Sequence, residues 1–112
     1  MTNWHQTQGR ADAEERKRAA GDYVKMLREA AGLTQLEVAK AIGLDYYTLV
    51  SQVENGKARL PPERIDQWAS ALGADRKAFA KRLLQYYDPF TWAAIFGQTK
   101  GRAGDRSSSY TV

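Results

Sequence analysis

The chain reads as all-α, a compact bundle of five to six short helices, and three observations predict it. Apolar residues recur at three- and four-residue spacing, with no strand-like alternation. The periodic stretches end at Gly32, Gly43, Gly56, Gly73 and Gly97, the residue type that best closes a helix. Helix-starting residues stand ahead of the stretches that follow, as Thr34, Asp45, Pro61-Pro62, Asp75 and Asp88-Pro89.

The first helix includes Asp22–Ala31, and the good helix formers of Ala11–Gly21 allow a start as early as Asp12. Its apolar stripe is Ala20, Tyr23/Val24, Leu27 and Ala30/Ala31. The second starts at Thr34, where Thr34-x-x-Glu37 has the form of a capping box: the hydroxyl accepts from a first-turn amide and the glutamate reaches back. It carries Leu36, Val38, Ala39 and Ile42. The third is expected from a cap at Asp45 to about Asn55. The fourth opens at Pro61-Pro62 and sets Ile65, Trp68, Ala69 and Leu72 on one face. Asp75 caps the fifth, with Phe79, Ala80, Leu83, Leu84 and Tyr87. Asp88 as cap and Pro89 in the first turn restart the chain for a sixth, holding Phe90, Trp92, Ala93, Ile95 and Phe96. Residues 1–10 are expected to be a flexible end, 11–97 the folded domain and 98–112 a disordered tail, because GRAGDRSSSYTV has little to bury.

Composition narrows the function. The 112 residues contain no cysteine, which excludes a disulfide scaffold, a thiol nucleophile and Cys-ligated metal. The single histidine, His5, falls in an N-terminal stretch expected to be loose, which nearly excludes a His-built metal site or a Ser–His–Asp triad. No nucleophile–base pair or phosphate loop is visible, so neither enzyme activity nor a cofactor is expected. No apolar run approaches the roughly 18–20 residues of a membrane span, and no signal peptide is apparent. A cytoplasmic protein is expected. The net charge of +4 is spread out: residues 21–97 hold ten basic and nine acidic side chains, so charge alone points only weakly to nucleic acid.

Only Gly43-Leu44 separates the second and third helices as read from the sequence. Two short helices around a tight glycine turn form a helix-turn-helix, with Leu44 plugging the core beneath it. The run Gly32-Leu33-Thr34-Gln35-Leu36-Glu37-Val38-Ala39-x-x-Ile42-Gly43, followed by Ser51-Gln52-Val53-Glu54-Asn55-Gly56-Lys57, closely resembles the Xre/Cro-type phage-repressor helix-turn-helix family. Leu27-Arg28 and Trp68-Ala69-x-Ala71-Leu72-Gly73 fit the same five-helix domain, and the resemblance covers roughly residues 21–84. It implies a DNA-binding transcriptional regulator, bacterial and nucleoid-associated. It also implies that Gln35 bonds the DNA backbone and braces the recognition helix. One departure is plain: Gly43 and Glu54 are separated by one residue more than the family usually has. One residue is about 100° of helix. The N-terminal register therefore maps base contacts onto Tyr46 and Tyr47, and the C-terminal register maps others onto Ser51 and Gln52.

A helical wheel buries Val50, Val53, Leu49 and Tyr46 and turns Thr48, Ser51, Gln52, Asn55 and Asp45 outward, with Tyr47 on the flank beside Glu54. Tyr46 is thus core by the wheel and exposed by the family register. Glutamine suits adenine N6 and N7, and serine and threonine suit either strand. Asp45 is expected to cap rather than read, because a carboxylate beside phosphates is unfavourable. Lys57 and Arg59 are candidate phosphate contacts. Arg16, Lys17 and Arg18 read as a solvated face rather than a DNA arm.

Tyr86, Tyr87, Phe90, Trp92 and Phe96 exceed what one short helix buries; some are expected to complete the core, and the exposed apolar remainder marks an interface. These five are the candidates for the expected dimer surface of a repressor binding a palindromic double-stranded operator as a homodimer. The alternative is a module that binds a protein such as polymerase or a toxin through 86–96.

Overall fold

A computed structural model describes residues 4–97, with side-chain surroundings from Gly9 onward. Six α-helices and one 3-10 turn follow in order, with no strand among the described residues. They are α1 Trp4–Ala30, α2 Gln35–Ala41, α3 Thr48–Glu54, the turn Pro62–Arg64, α4 Ile65–Leu72, α5 Arg76–Tyr87 and α6 Pro89–Phe96. The expected tail, 98–112, lies outside the described residues, as do residues 1–3 of the expected flexible end. Trp4–Arg10, expected to be loose, is helical: α1 continues through Gly9 to Trp4.

The caps behave as the residue types dictate. The Thr34 hydroxyl accepts from the Glu37 amide at 3.1 Å, and the Glu37 carboxylate accepts from the Thr34 amide at 2.8 Å. Asp75 accepts from the Ala78 amide, and Asp88 from the amide and hydroxyl of Thr91. Asp45 is the exception. Leu44–Tyr47 forms the turn, α3 begins at Thr48, and Tyr47 stands at the N-cap without a side-chain bond.

The turn after α2 closes in the Schellman pattern. Gly43, at φ 82°, donates to Lys40 O, and Leu44 donates to Ala39 O at 2.9 Å. Leu44 then packs half-buried on the core, as its apolar side chain requires. That core is Ala20 and Val24 from α1, Val38, Ala39 and Ile42 from the α2 region, Val50 and Val53 from α3, Leu60, Trp68, Ala69 and Leu72 around α4, and Phe79 and Leu83 from α5. Leu36 faces solvent instead.

Helix α1 crosses α3 at backbone range, and Gly21 allows it. A Cβ at Gly21 would fall against the carbonyl oxygens of Val53, at 2.5 Å, and Glu54. Gly56, at φ 73°, meets the backbone of Arg18 in the same way. A mid-helix glycine is destabilising by roughly 0.5–1 kcal/mol relative to alanine, and here that loss is exchanged for contact between two helices.

Candidate nucleic-acid interface

Seven residues of helix are too few to hold themselves in water, so α3 depends on what grips it. Val50 and Val53 anchor it in the core. Glu54 anchors its last turn. Its side chain is only 1% exposed, and the Arg28 guanidinium clasps the carboxylate with two bonds, Nε to Oε2 at 2.6 Å and Nη2 to Oε1 at 3.1 Å. Arg28 spends its remaining reach on the Leu33 carbonyl, at 2.8 Å. The Gln35 amide donates to Glu54 Oε1 at 3.0 Å. One buried carboxylate thus joins the end of α1, the start of α2 and the end of α3. The Glu54 carboxylate holds the Arg28 guanidinium above its ordinary pKa, chiefly through this hydrogen bond. The bracing role expected of Gln35 has a definite contact here, and Gln35 itself is half-buried.

The grip settles the register of the third helix. Val50, Val53 and Glu54 all face inward, so the additional residue of the Gly43–Glu54 interval lies in the turn before Thr48. The wheel that buried Tyr46 extended helix geometry into that turn. Tyr46 is instead 77% exposed and Tyr47 54% exposed. Thr48, Gln52 and Asn55 are exposed, while Ser51 is half-buried and its hydroxyl accepts from the Asn55 amide at 3.3 Å. Asp45 is exposed beside the two tyrosines. These residues share the outer side of the turn and α3.

Lys57 follows the left-handed Gly56 and is exposed, with its backbone amide donating to the Gln52 carbonyl at 2.8 Å. This second Schellman closure fixes where the lysine leaves the helix. Arg59 is exposed too, but its guanidinium lies over the Tyr87 ring, 4.7 Å from the centroid, so part of its face is already engaged. Lys17 pairs with Glu14 at 3.5 Å, but it and Arg16 are half-buried, so of the three residues expected on a solvated face only Arg18 is exposed. Among the described residues no cluster of His, Cys, Asp or Glu has the arrangement of a metal site.

The expected dimer surface divides in two. Tyr86 and Tyr87 turn into their own domain. Tyr86 packs on Tyr23 with centroids 6.1 Å apart, and the Tyr87 hydroxyl accepts from the buried Leu60 amide at 3.1 Å. Both are half-buried and serve their own domain, because α5 still faces the core at its last turn. Burial pushes the Tyr23 and Tyr87 phenols up from their ordinary pKa. Helix α6 behaves differently. Trp92 is half-buried and meets Phe96 at 5.9 Å, while Phe90 is 84% exposed and Ile95 and Phe96 are also exposed.

Three participants were missed in the sequence: Arg28 and Glu54 as a buried pair, and Gly21 as the crossing point. The isolated glycine inside a helical pattern was the available signal for the third.

A family model described as a helix-turn-helix domain matches residues 19–87. The chain belongs to that family. It is of the Xre/Cro type, so the resemblance carried by Gly32–Gly43 and Ser51–Lys57 holds across the domain, and the chain is a helix-turn-helix regulator by family. No curated protein matches the chain. None of the described helices is long and apolar enough to cross a membrane.

Proposed function

We propose that the protein is a sequence-specific double-stranded DNA-binding transcriptional regulator, a bacterial, cytoplasmic, nucleoid-associated repressor that inserts α3 in the major groove. The observation that carries this reading is α3 itself. It is held from within by Val50, Val53 and Glu54, and it turns Thr48, Gln52 and Asn55, with Tyr46 and Tyr47 at its entry, to solvent. A rigid helix with a small polar outer face suits groove insertion. Gln35 and Lys57 flank it as backbone contacts, Arg59 as a third that shares its guanidinium with Tyr87. Ser51 serves the same face from a half-buried position.

The reading includes a homodimer on a palindromic operator, joined through Phe90, Trp92, Ile95 and Phe96 of α6. An isologous contact would cover the exposed rings in both subunits at once. The same apolar face supports the other reading, a protein-interaction module.

Titrating binding to selected and random duplexes against salt tests the function. DNA binding must weaken steeply as salt rises, through counterion release. Gln52→Ala is expected to weaken the selected duplex by about 1–3 kcal/mol and random duplex hardly at all. Failure to bind any duplex at low salt would leave the interaction module as the function.

A further inference from the structure

The chemistry of the outer face of α3 goes further than DNA binding. From Leu44 to Gly56 the chain has no lysine or arginine. Its charges are Asp45, exposed, and Glu54, buried against Arg28. The groups turned outward are two phenols, a threonine methyl and hydroxyl, and the amides of Gln52 and Asn55. Guanine is most commonly read by arginine or lysine bonding O6 and N7 together, and this face has neither. Adenine is read by a glutamine or asparagine amide that donates to N7 and accepts from N6. The thymine 5-methyl is read by apolar contact, which tyrosine rings and a threonine methyl supply. Asn55 is the less able of the two amides, since one of its two N–H donors is engaged by Ser51. Lys57 lies beyond the helix end, past Gly56, where a backbone phosphate is the nearer target.

We infer that the half-site read by this protein is centred on A·T base pairs, with Gln52 on an adenine and Tyr46, Tyr47 or Thr48 against thymine methyls. This rests on the DNA-binding function proposed above and names the sequence class it takes. Asp45 is the one exposed charged group of this face suited to the other class, because a carboxylate accepts from cytosine N4, whereas the Thr48 hydroxyl favours neither class.

Selection of bound duplexes from a random pool, using the full chain, tests the inference. Half-sites with A·T at the central contacted positions are expected. Replacing thymine by deoxyuridine in the selected duplex removes only the 5-methyl and is expected to weaken binding several-fold. Gln52→Arg is expected to move one position from adenine to guanine, changing relative affinity by about tenfold or more. Circular dichroism would establish that the variant is folded. Asp45→Asn is expected to leave the selected sequence unchanged and to tighten binding to every duplex. Half-sites centred on G·C that lose this preference in Asp45→Asn would overturn the A·T assignment while leaving sequence-specific binding intact. Retention without any enrichment, or no retention at all, would overturn the specific-binding function and the assignment with it.

Discussion

Helices α3 and α6 are nearly equal in length, seven and eight residues, and opposite in construction. The first buries Val50, Val53 and Glu54 and presents a polar outer face. The second buries no residue and presents Phe90, Ile95 and Phe96 outward. Neither length is self-sustaining in water, so each helix is as ordered as its contacts make it. For α3 the contacts are internal and include a charged clasp, and its free side chains have nothing left to do for the fold. For α6 the outer apolar side is what a second surface would complete. Substitutions in the first helix should therefore separate cleanly into those that unfold and those that alter binding. In the second, outer substitutions should change assembly with little change in folding.

The largest effect should come from breaking the clasp. Glu54→Ala leaves the Arg28 guanidinium half-buried without its carboxylate, and a loss of about 3–5 kcal/mol is expected. Chemical denaturation followed by circular dichroism would measure it. Replacing both partners, Arg28→Met with Glu54→Leu, should recover most of that loss. A double variant as unstable as the single would assign the stability to the hydrogen bonds to Leu33 and Gln35 rather than to paired charge.

Tyr87→Phe tests the α5 end, since the buried Leu60 amide loses its acceptor. A loss of about 1–3 kcal/mol is expected, with dimerisation unaffected. Weaker self-association without lower stability would return Tyr87 to the interface. The same phenols set an alkaline limit. Tyr23 and Tyr87 hold their protons more tightly when folded than at the ordinary value of 10.0. The unfolded chain therefore ionises first as pH rises. Their contribution is complete below about pH 10 and is lost as pH climbs through the raised folded values. The denaturation midpoint should stay level up to that pH and fall beyond it, less so in Tyr87→Phe.

Smaller effects are expected at the surface. Lys57→Ala should lower the slope of log affinity against log salt by about one for any duplex. Phe90→Ser should change stability by no more than about 0.5 kcal/mol, as is usual for exposed positions. Light scattering of Phe90→Ser with Ile95→Ser should show a monomer. A dimer retained by that variant would move self-association off α6.

Much of this architecture was legible along the chain, because helix ends are local chemistry. The box at Thr34 and Glu37, the caps at Asp75 and Asp88, and the glycine stops need only a few neighbouring residues. The stripes through Val38, Ala39, Val50, Val53, Trp68 and Phe79 were equally visible as periodicity. Asp45 misled because a good capping residue was followed by a turn one residue longer than the family spacing, which delays the helix to Thr48. Which of the five rings complete the core was not legible, because counting rings does not say which side of α5 Tyr86 and Tyr87 occupy. Arg28 and Glu54 stand 26 residues apart, and only the crossing of α1 over α3 makes them neighbours. Of the candidate site, its location and its outward polar residues could be read from the wheel, while the side on which Tyr46 lies awaited the start of the helix.

The clasp on Glu54 has a consequence for how such a protein can change over generations. The residues that fix α3 and the residues that would read DNA do not overlap: Glu54, Val50 and Val53 point one way, Thr48 and Gln52 the other. Mutations on the outer side are nearly invisible to folding selection. A duplicated copy could exchange them one at a time and pass through intermediates that are all folded, acquiring a new operator without a stability crisis. The inner set is the opposite, a lock that drift cannot open by single steps, because losing either charge strands the other.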